Sequence, residues 1–244
     1  MIKAIIFDMD GLMIDTEPVG NMLVKTSHEK FGYKITDDMF VHLIGSNEKT
    51  SKEYYYSVFG EDYPYQKIKD YREQLRNEYF KTHPIEIKKG LYDLLEYLKK
   101  NHIKMAVASS TRYERVLSNL KSIKVDQFFD AIIGGDQIKH GKPAPDIFLK
   151  AVELLEVNKE DALVLEDSRN GILAAHAGKI PVICIPDLKN PDSLHQHRCI
   201  CLLNSLNEVI DYIEKSNAYE VNWISWTNNL GGSLLLCVIQ KNLN

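Results

Sequence analysis

No apolar run in this 244-residue sequence approaches the ~18 residues that a membrane-spanning helix needs. Near the start there is no basic segment followed by a small-residue cleavage site. We therefore expect a cytoplasmic protein with no membrane partner. Cysteine is scarce, with only Cys184, Cys199, Cys201 and Cys237. Four in a chain of this length are expected as reduced thiols rather than a disulfide framework. Net positive charge is also lacking. Thirty Lys and Arg face 34 Asp and Glu, a formal charge of −4, which argues against a nucleic-acid partner. There is no internal repeat and no low-complexity stretch. What remains is 44% hydrophobic and 26% charged, ordinary for a globular chain with room for one large or two modest domains.

Chemistry first shows in residues 2–17, IKAIIFDMDGLMIDTE. Ile2, Ala4, Ile5, Ile6 and Phe7 form a short apolar run that stops at Asp8-Met9-Asp10-Gly11. A run without polar alternation reads as a strand buried on both faces, as in a parallel sheet. Two carboxylates at its end would lie where open α/β sheets bind ligands. Their repulsion, about 4 kcal/mol at 4 Å and an effective dielectric near 20, calls for a cation. Mg2+ suits such oxygen donors, and Gly11 lets the chain turn tightly past them.

Residues 16–85 show helical spacing and no strand pattern, with helices expected at 18–31, 37–43, 51–59 and 65–80. This insertion is expected to sit above the carboxylates as a lid. From residue 86, helices at 90–100, 112–120, 145–155 and 171–177 alternate with strands at 104–108, 128–134, 163–165 and 182–185, and a sixth strand at 199–203. Pro145 suits the first position of its helix. The alternation implies an α/β fold: a doubly wound parallel sheet, Rossmann-like, with an inserted all-helical cap domain. The expected division is a core of 1–15 and 86–215, a cap of 16–85, and a C-terminal extension of 216–244. In the extension, apolar segments 218–226 and 233–240 flank Thr-Asn-Asn-Leu-Gly-Gly, which reads as a β-hairpin without a catalytic role.

Three strand ends carry polar groups: Asp8 and Asp10, then Ser109 and Ser110, then Glu166 and Asp167, with Lys142 between the last two. In a parallel sheet all of these face one edge. A hydroxyl at a helix N-terminus favours phosphate, and a lysine supplies a compact positive charge. Each has a plain reading alone. Ser109-Ser110-Thr111 is a fair helix cap, Lys142 is one lysine of many, and Glu166-Asp167-Ser168 makes a turn. Their order, each at a strand end or helix start, is hard to reach by accident. His195, His197, Cys199 and Cys201 alternate as strand residues do, but are expected as plain core and surface rather than a soft-metal site.

With these segments in hand, the sequence resembles the haloacid dehalogenase superfamily of phosphotransferases. DMDG (8–11), ASS (108–110), GKPAPDIF (141–148) and LEDS (165–168) match its four motifs over roughly residues 1–213. It is most similar to the subgroup with a helical cap that holds β-phosphoglucomutase and sugar-phosphate or nucleotide phosphatases. The resemblance implies that Asp8 is a nucleophile that becomes an aspartyl-phosphate, and that Asp10 is the general acid and base. It implies Mg2+ held by Asp8, the Asp10 carbonyl and Asp167, with Glu166 orienting the metal shell and Lys142. It implies phosphoryl oxygens bound by Ser109 and Lys142, with Gly11 and Ser110 beside them.

Two readings compete within that resemblance. β-Phosphoglucomutases carry a histidine where this chain has Gly20, and a cap arginine where it reads IGSNEKTS (44–51). Lacking both, the chain is expected to be a phosphatase acting on a small phosphomonoester, a sugar phosphate or nucleotide-like metabolite, with a mutase-type phosphotransferase as the alternative. A non-enzymatic phosphoacceptor is a remote third. Cap contacts to substrate are expected from Glu17, Gly45, Ser46, Asn47 and Lys49. A monomer is expected.

Overall fold

The computed structural model describes residues 1–43, 48–187 and 197–226, with the backbone alone for 17, 41, 42 and 217–226. Its centre is β1 (Ala4–Phe7), buried along its whole length. Alternate residues of a strand point to opposite faces. Ile5 and Phe7 accordingly enter one apolar core, and Ala4 and Ile6 enter another. β1 pairs in parallel with β2 (Lys104–Ser109) on one side and β4 (Ala162–Glu166) on the other, Ile6 standing opposite Ala106 and Val164. β3 (Ala131–Gly134) and β5 (Val182–Cys184) complete a parallel sheet in the order β3-β2-β1-β4-β5.

Helices cover both faces. Leu91, Leu94, Leu95 and Leu98 of α5 (Leu91–Lys100) pack on the Ile5–Phe7 side, with Val116 and Leu120 of α6 (Tyr113–Ser122) and Val209 and Ile213 of α9 (Asn207–Trp226). Phe148 and Ala151 of α7 (Asp146–Leu155), and Ile172 and Ala175 of α8 (Arg169–Gly178), cover the other side, where small strand residues such as Ala106 and Ala108 admit them closely. The chain leaves the middle of the sheet in both directions, so its C-terminal edge at β1 is a switch point of the kind where such sheets bind ligands.

Between β1 and α5 lie α1 (Glu17–Glu29), α2 (Asp37–Leu43), α3 (Glu48–Phe59) and α4 (Tyr65–Thr82). They form a helical cap with an aromatic core of its own, including Tyr55, Tyr63, Tyr65 and Ile68. The two strands of chain joining cap to core run side by side. Asp15 N donates to Glu86 O at 2.9 Å and Lys88 N to Met13 O at 2.9 Å. Lys88 ties Asp15 to Asp187 across the same seam.

Three expectations are corrected. Residues 199–203 form no sixth strand: Leu202 makes an isolated parallel bridge to Cys184, because only Ile200 and Leu203 N–H groups and the Cys201 carbonyl engage β5. Pro145 caps α7 rather than occupying its first turn. Residues 218–226, expected as one arm of a hairpin, continue α9, while 233–240 lie outside the described residues.

Candidate active site

Asp8 follows β1 directly, and its N–H donates to Leu165 O at 3.0 Å, which fixes it at the sheet edge beside β4. Lys142 reaches it from the loop before α7. The Lys142 Nζ lies 2.5 Å from Asp8 Oδ1 and 2.7 Å from Glu166 Oε1, and its side chain is 1% exposed. The ammonium also sits 4.7 Å from the centre of the Phe148 ring. Glu166 is wholly buried at the end of β4, and its second oxygen accepts from Ser168 N at 2.6 Å. Ser168 in turn caps α8 by accepting from Gly171 N at 3.1 Å. Gly171 leaves no room for a side chain, since a Cβ there would stand 1.6 Å from Glu166 Oε1.

Asp8, Glu166 and Asp167 bring carboxylate oxygens within 4.8 Å of one another, all of them buried. One ammonium offsets three carboxylates, which is unfavourable away from water. Burial pushes the Asp8 carboxyl up to about 7, helped by the negative charges of Glu166 and Asp10 and opposed by Lys142. Lys142 is held cationic by the two carboxylates it bridges, which outweigh its burial. Gly11, at φ +89, turns the chain so closely past Asp167 that a Cβ would lie 2.3 Å from Asp167 Oδ2. An all-oxygen, buried, net-negative cluster of this kind fits a hard divalent cation.

Asp10 sits in different surroundings. Its Oδ1 accepts from Thr16 Oγ1 at 2.6 Å, and its Oδ2 from Thr111 Oγ1 at 2.8 Å and from Ser109 Oγ at 3.3 Å. Thr16 stands at the N-cap of α1 yet makes no side-chain cap bond; its hydroxyl is committed to Asp10. Asp10 forms part of the wall of a cavity of about 340 Å3 between sheet edge and cap, to which Ser110 and Thr111 also contribute.

The structure thus gathers Asp8, Lys142, Glu166 and Asp167 into one cluster, and Asp10 with Ser109 into a second beside it. Ser110 faces the cavity. Glu17 opens α1, but its side chain lies outside the described residues, as do Gly45, Ser46 and Asn47 entirely. Lys49 is exposed and is not among the cavity-lining residues, against expectation, because α3 presents Glu48 and Ser51 there instead. Thr16, Thr111 and Arg72, Arg76, Arg112 and Arg115 at the cavity were not foreseen. For Thr16 a signal existed, a hydroxyl residue just before Glu17-Pro18. For the arginines of α4 there was none, since a charged helix reads as a solvated face.

The sequence pattern of haloacid dehalogenase-like hydrolases matches residues 5–185. The chain belongs to that family. It is 30% identical over 221 residues to a phosphorylated carbohydrates phosphatase of Thermotoga maritima, covering 85% of this chain and 100% of that one. A pyrophosphatase of Bacillus thuringiensis is 24% identical over 218 residues, 88% and 98% of the two chains. Among solved structures, β-phosphoglucomutase from Clostridium difficile superposes with a TM-score of 0.74 at 25% identity, covering 91% of this chain and 100% of that one. This family member is an enzyme, a hydrolase of phosphoric monoesters.

Proposed function

We propose that the protein is a Mg2+-dependent phosphatase that hydrolyses a small phosphorylated metabolite through an aspartyl-phosphate on Asp8. The observation that carries this reading is the contrast between two carboxylates two residues apart. Asp8 is locked to a buried ammonium, whereas Asp10 is held by hydroxyls at the cavity wall. Of the two, it is Asp10 that borders the cavity, where a leaving oxygen and an attacking water would lie.

An Asp8 carboxylate oxygen attacks phosphorus, and the bond to the leaving oxygen breaks. Asp10 gives its proton to that oxygen. Asp10 then takes a proton from water, whose oxygen attacks phosphorus and releases Asp8. Covalent catalysis divides one displacement into two easier ones. Lys142 keeps Asp8 oriented and places positive charge beside the transferred group. Asp8, the Asp10 carbonyl and Asp167 would hold the Mg2+, which when bound neutralises charge on the phosphoryl group. Both Glu166 oxygens are already engaged, by Lys142 and by Ser168 N, so Glu166 acts as a positioning residue. Ser109, turned toward Asp10, would reach phosphoryl oxygens from that side.

Position 20 supports hydrolysis over mutase chemistry. Gly20 lines the cavity, and a Cβ there would meet nothing within 4 Å, so the space where the mutases carry a histidine is open. The deciding experiment compares Asp8→Asn, expected to lose both phosphate release and covalent labelling, with Asp10→Asn, expected to leave a trappable aspartyl-phosphate. Full turnover in Asp8→Asn would sink the assignment.

A further inference from the structure

The chain as a whole is acidic, with a formal charge of −4. The cavity above Asp10 is not. Its walls carry five cationic side chains, Lys69, Arg72, Arg76, Arg112 and Arg115, against the acidic Asp10, Glu48 and Glu73. Three of the cations are occupied. Lys69 pairs with Glu48 and Arg115 with Glu73. Arg76 donates to Asn119 Oδ1 at 3.1 Å and lies 4.7 Å from the centre of the Phe80 ring. Among the described residues, Arg72 and Arg112 have no ion-pair partner.

Arg76 and Arg72 lie one turn apart on α4, about 6 Å along its axis. Arg76 reaches the core through Asn119. Arg72 stands one turn nearer the Tyr65 end of α4, which packs in the aromatic core of the cap, and it is half-buried. Arg72 lines the cavity, and its guanidinium carries a planar fork of donors. That fork matches a carboxylate or phosphate bidentately.

We propose that Arg72, assisted by Arg112, binds a second oxyanion at the far end of the substrate, so that the preferred phosphomonoester is doubly anionic on a short skeleton. The inference rests on the phosphatase reading and narrows it. It also supplies a clamp from a different part of the cap than the one whose arginine is missing at 44–51. Discrimination follows from the same geometry: a neutral-tailed ester leaves the guanidinium desolvated without a partner, and that penalty raises specificity.

The test uses the full chain with Mg2+ and two matched pairs. 3-Phosphoglycerate against glycerol 3-phosphate probes a carboxylate, and fructose 1,6-bisphosphate against fructose 6-phosphate probes a phosphate. In at least one pair the charged member is expected to have a kcat/KM about tenfold higher or more, through KM more than kcat. Arg72→Ala is expected to bring that ratio near one, and Arg72→Lys to retain part of it. The ratio cancels any general damage to the fold. Ratios near one in both pairs for the natural protein overturn the inference, as does a ratio that survives both Arg72→Ala and Arg112→Ala. Should no ester be hydrolysed, the phosphatase reading falls, and calorimetric binding of the same pairs decides the second-anion site alone. Tighter binding of a charged member, lost in Arg72→Ala, upholds it, and equal binding overturns it.

Discussion

Replacing Lys142 by methionine removes the ammonium that touches both Asp8 and Glu166 and leaves the volume nearly filled. The two carboxylates then face each other within 4.8 Å. Full charges at that separation repel by about 3.5 kcal/mol at an effective dielectric near 20. Stripping one partner from a buried ionic set costs about 3–5 kcal/mol in other proteins, so the two routes agree. The loss depends on pH. Asp8 titrates near 7 with Lys142 present, and higher once the opposing charge is gone. An unfolded aspartate titrates near 4. Between those values the folded state holds a proton that the unfolded state lacks, so stability falls as pH rises, by about 1.4 kcal/mol per unit. Urea unfolding in EDTA should therefore show a larger deficit for Lys142→Met at about pH 8 than at about pH 6. Added Mg2+ should recover part of it. Adding Glu166→Gln should recover part as well, since one of the repelling charges is then gone. A deficit under about 1 kcal/mol at every pH would refute the account of the cluster.

Other outcomes follow from the same structure. Phosphate release should stop in EDTA and return with Mg2+; activity that persists in EDTA rejects the metal requirement. Gly171→Ala should lower kcat about tenfold or more by displacing Glu166 and with it Lys142. Gly32→Ala, at φ +83 with nothing within 4 Å, should cost about 1–2 kcal/mol in urea and leave kcat intact. His28 donates to Val24 O at 2.7 Å and lies 2.5 Å from the Tyr63 hydroxyl in the cap core. Burial lowers its pKa to about 4. The unfolded histidine binds a proton below about 6.5, so stability should decline as pH falls from there, by about 1.4 kcal/mol per unit. His28→Phe should lack that component of the slope in urea titrations across the same range.

The core was legible because its elements announce themselves locally. AIIF ending at Asp8, the leucine spacing of α5 and the serines after β2 each combine a period with a stop, and a parallel sheet brings every such stop to one edge. Lys142 and Glu166 were nameable for the same reason, although nothing local said that the lysine would bridge two carboxylates. The cap was legible as four helices and hardly at all as a binding surface. Its helices bury one another's aromatics around His28, and which of their charged residues turn toward Asp10 depends on how the cap rests on the core.

The tail shows the other limit. Its apolar residues and Asn-Gly-rich break gave a hairpin pattern, yet through Trp226 the chain extends α9, whose first turns pack Val209 and Ile213 against the sheet. Propagation of a helix already nucleated by those packed turns overrode a short-range signal. The sequence by itself determined the reaction class, because the chemistry needs particular residue types at strand ends and strand ends are encoded locally. The tertiary structure alone decided the electrostatics of the cavity. Thr16 and Thr111 meet at Asp10 across 95 residues, and Arg72 and Arg112 face one space from two separate units of structure. Such meetings depend on the distance between groups, which the order of residues along the chain does not record.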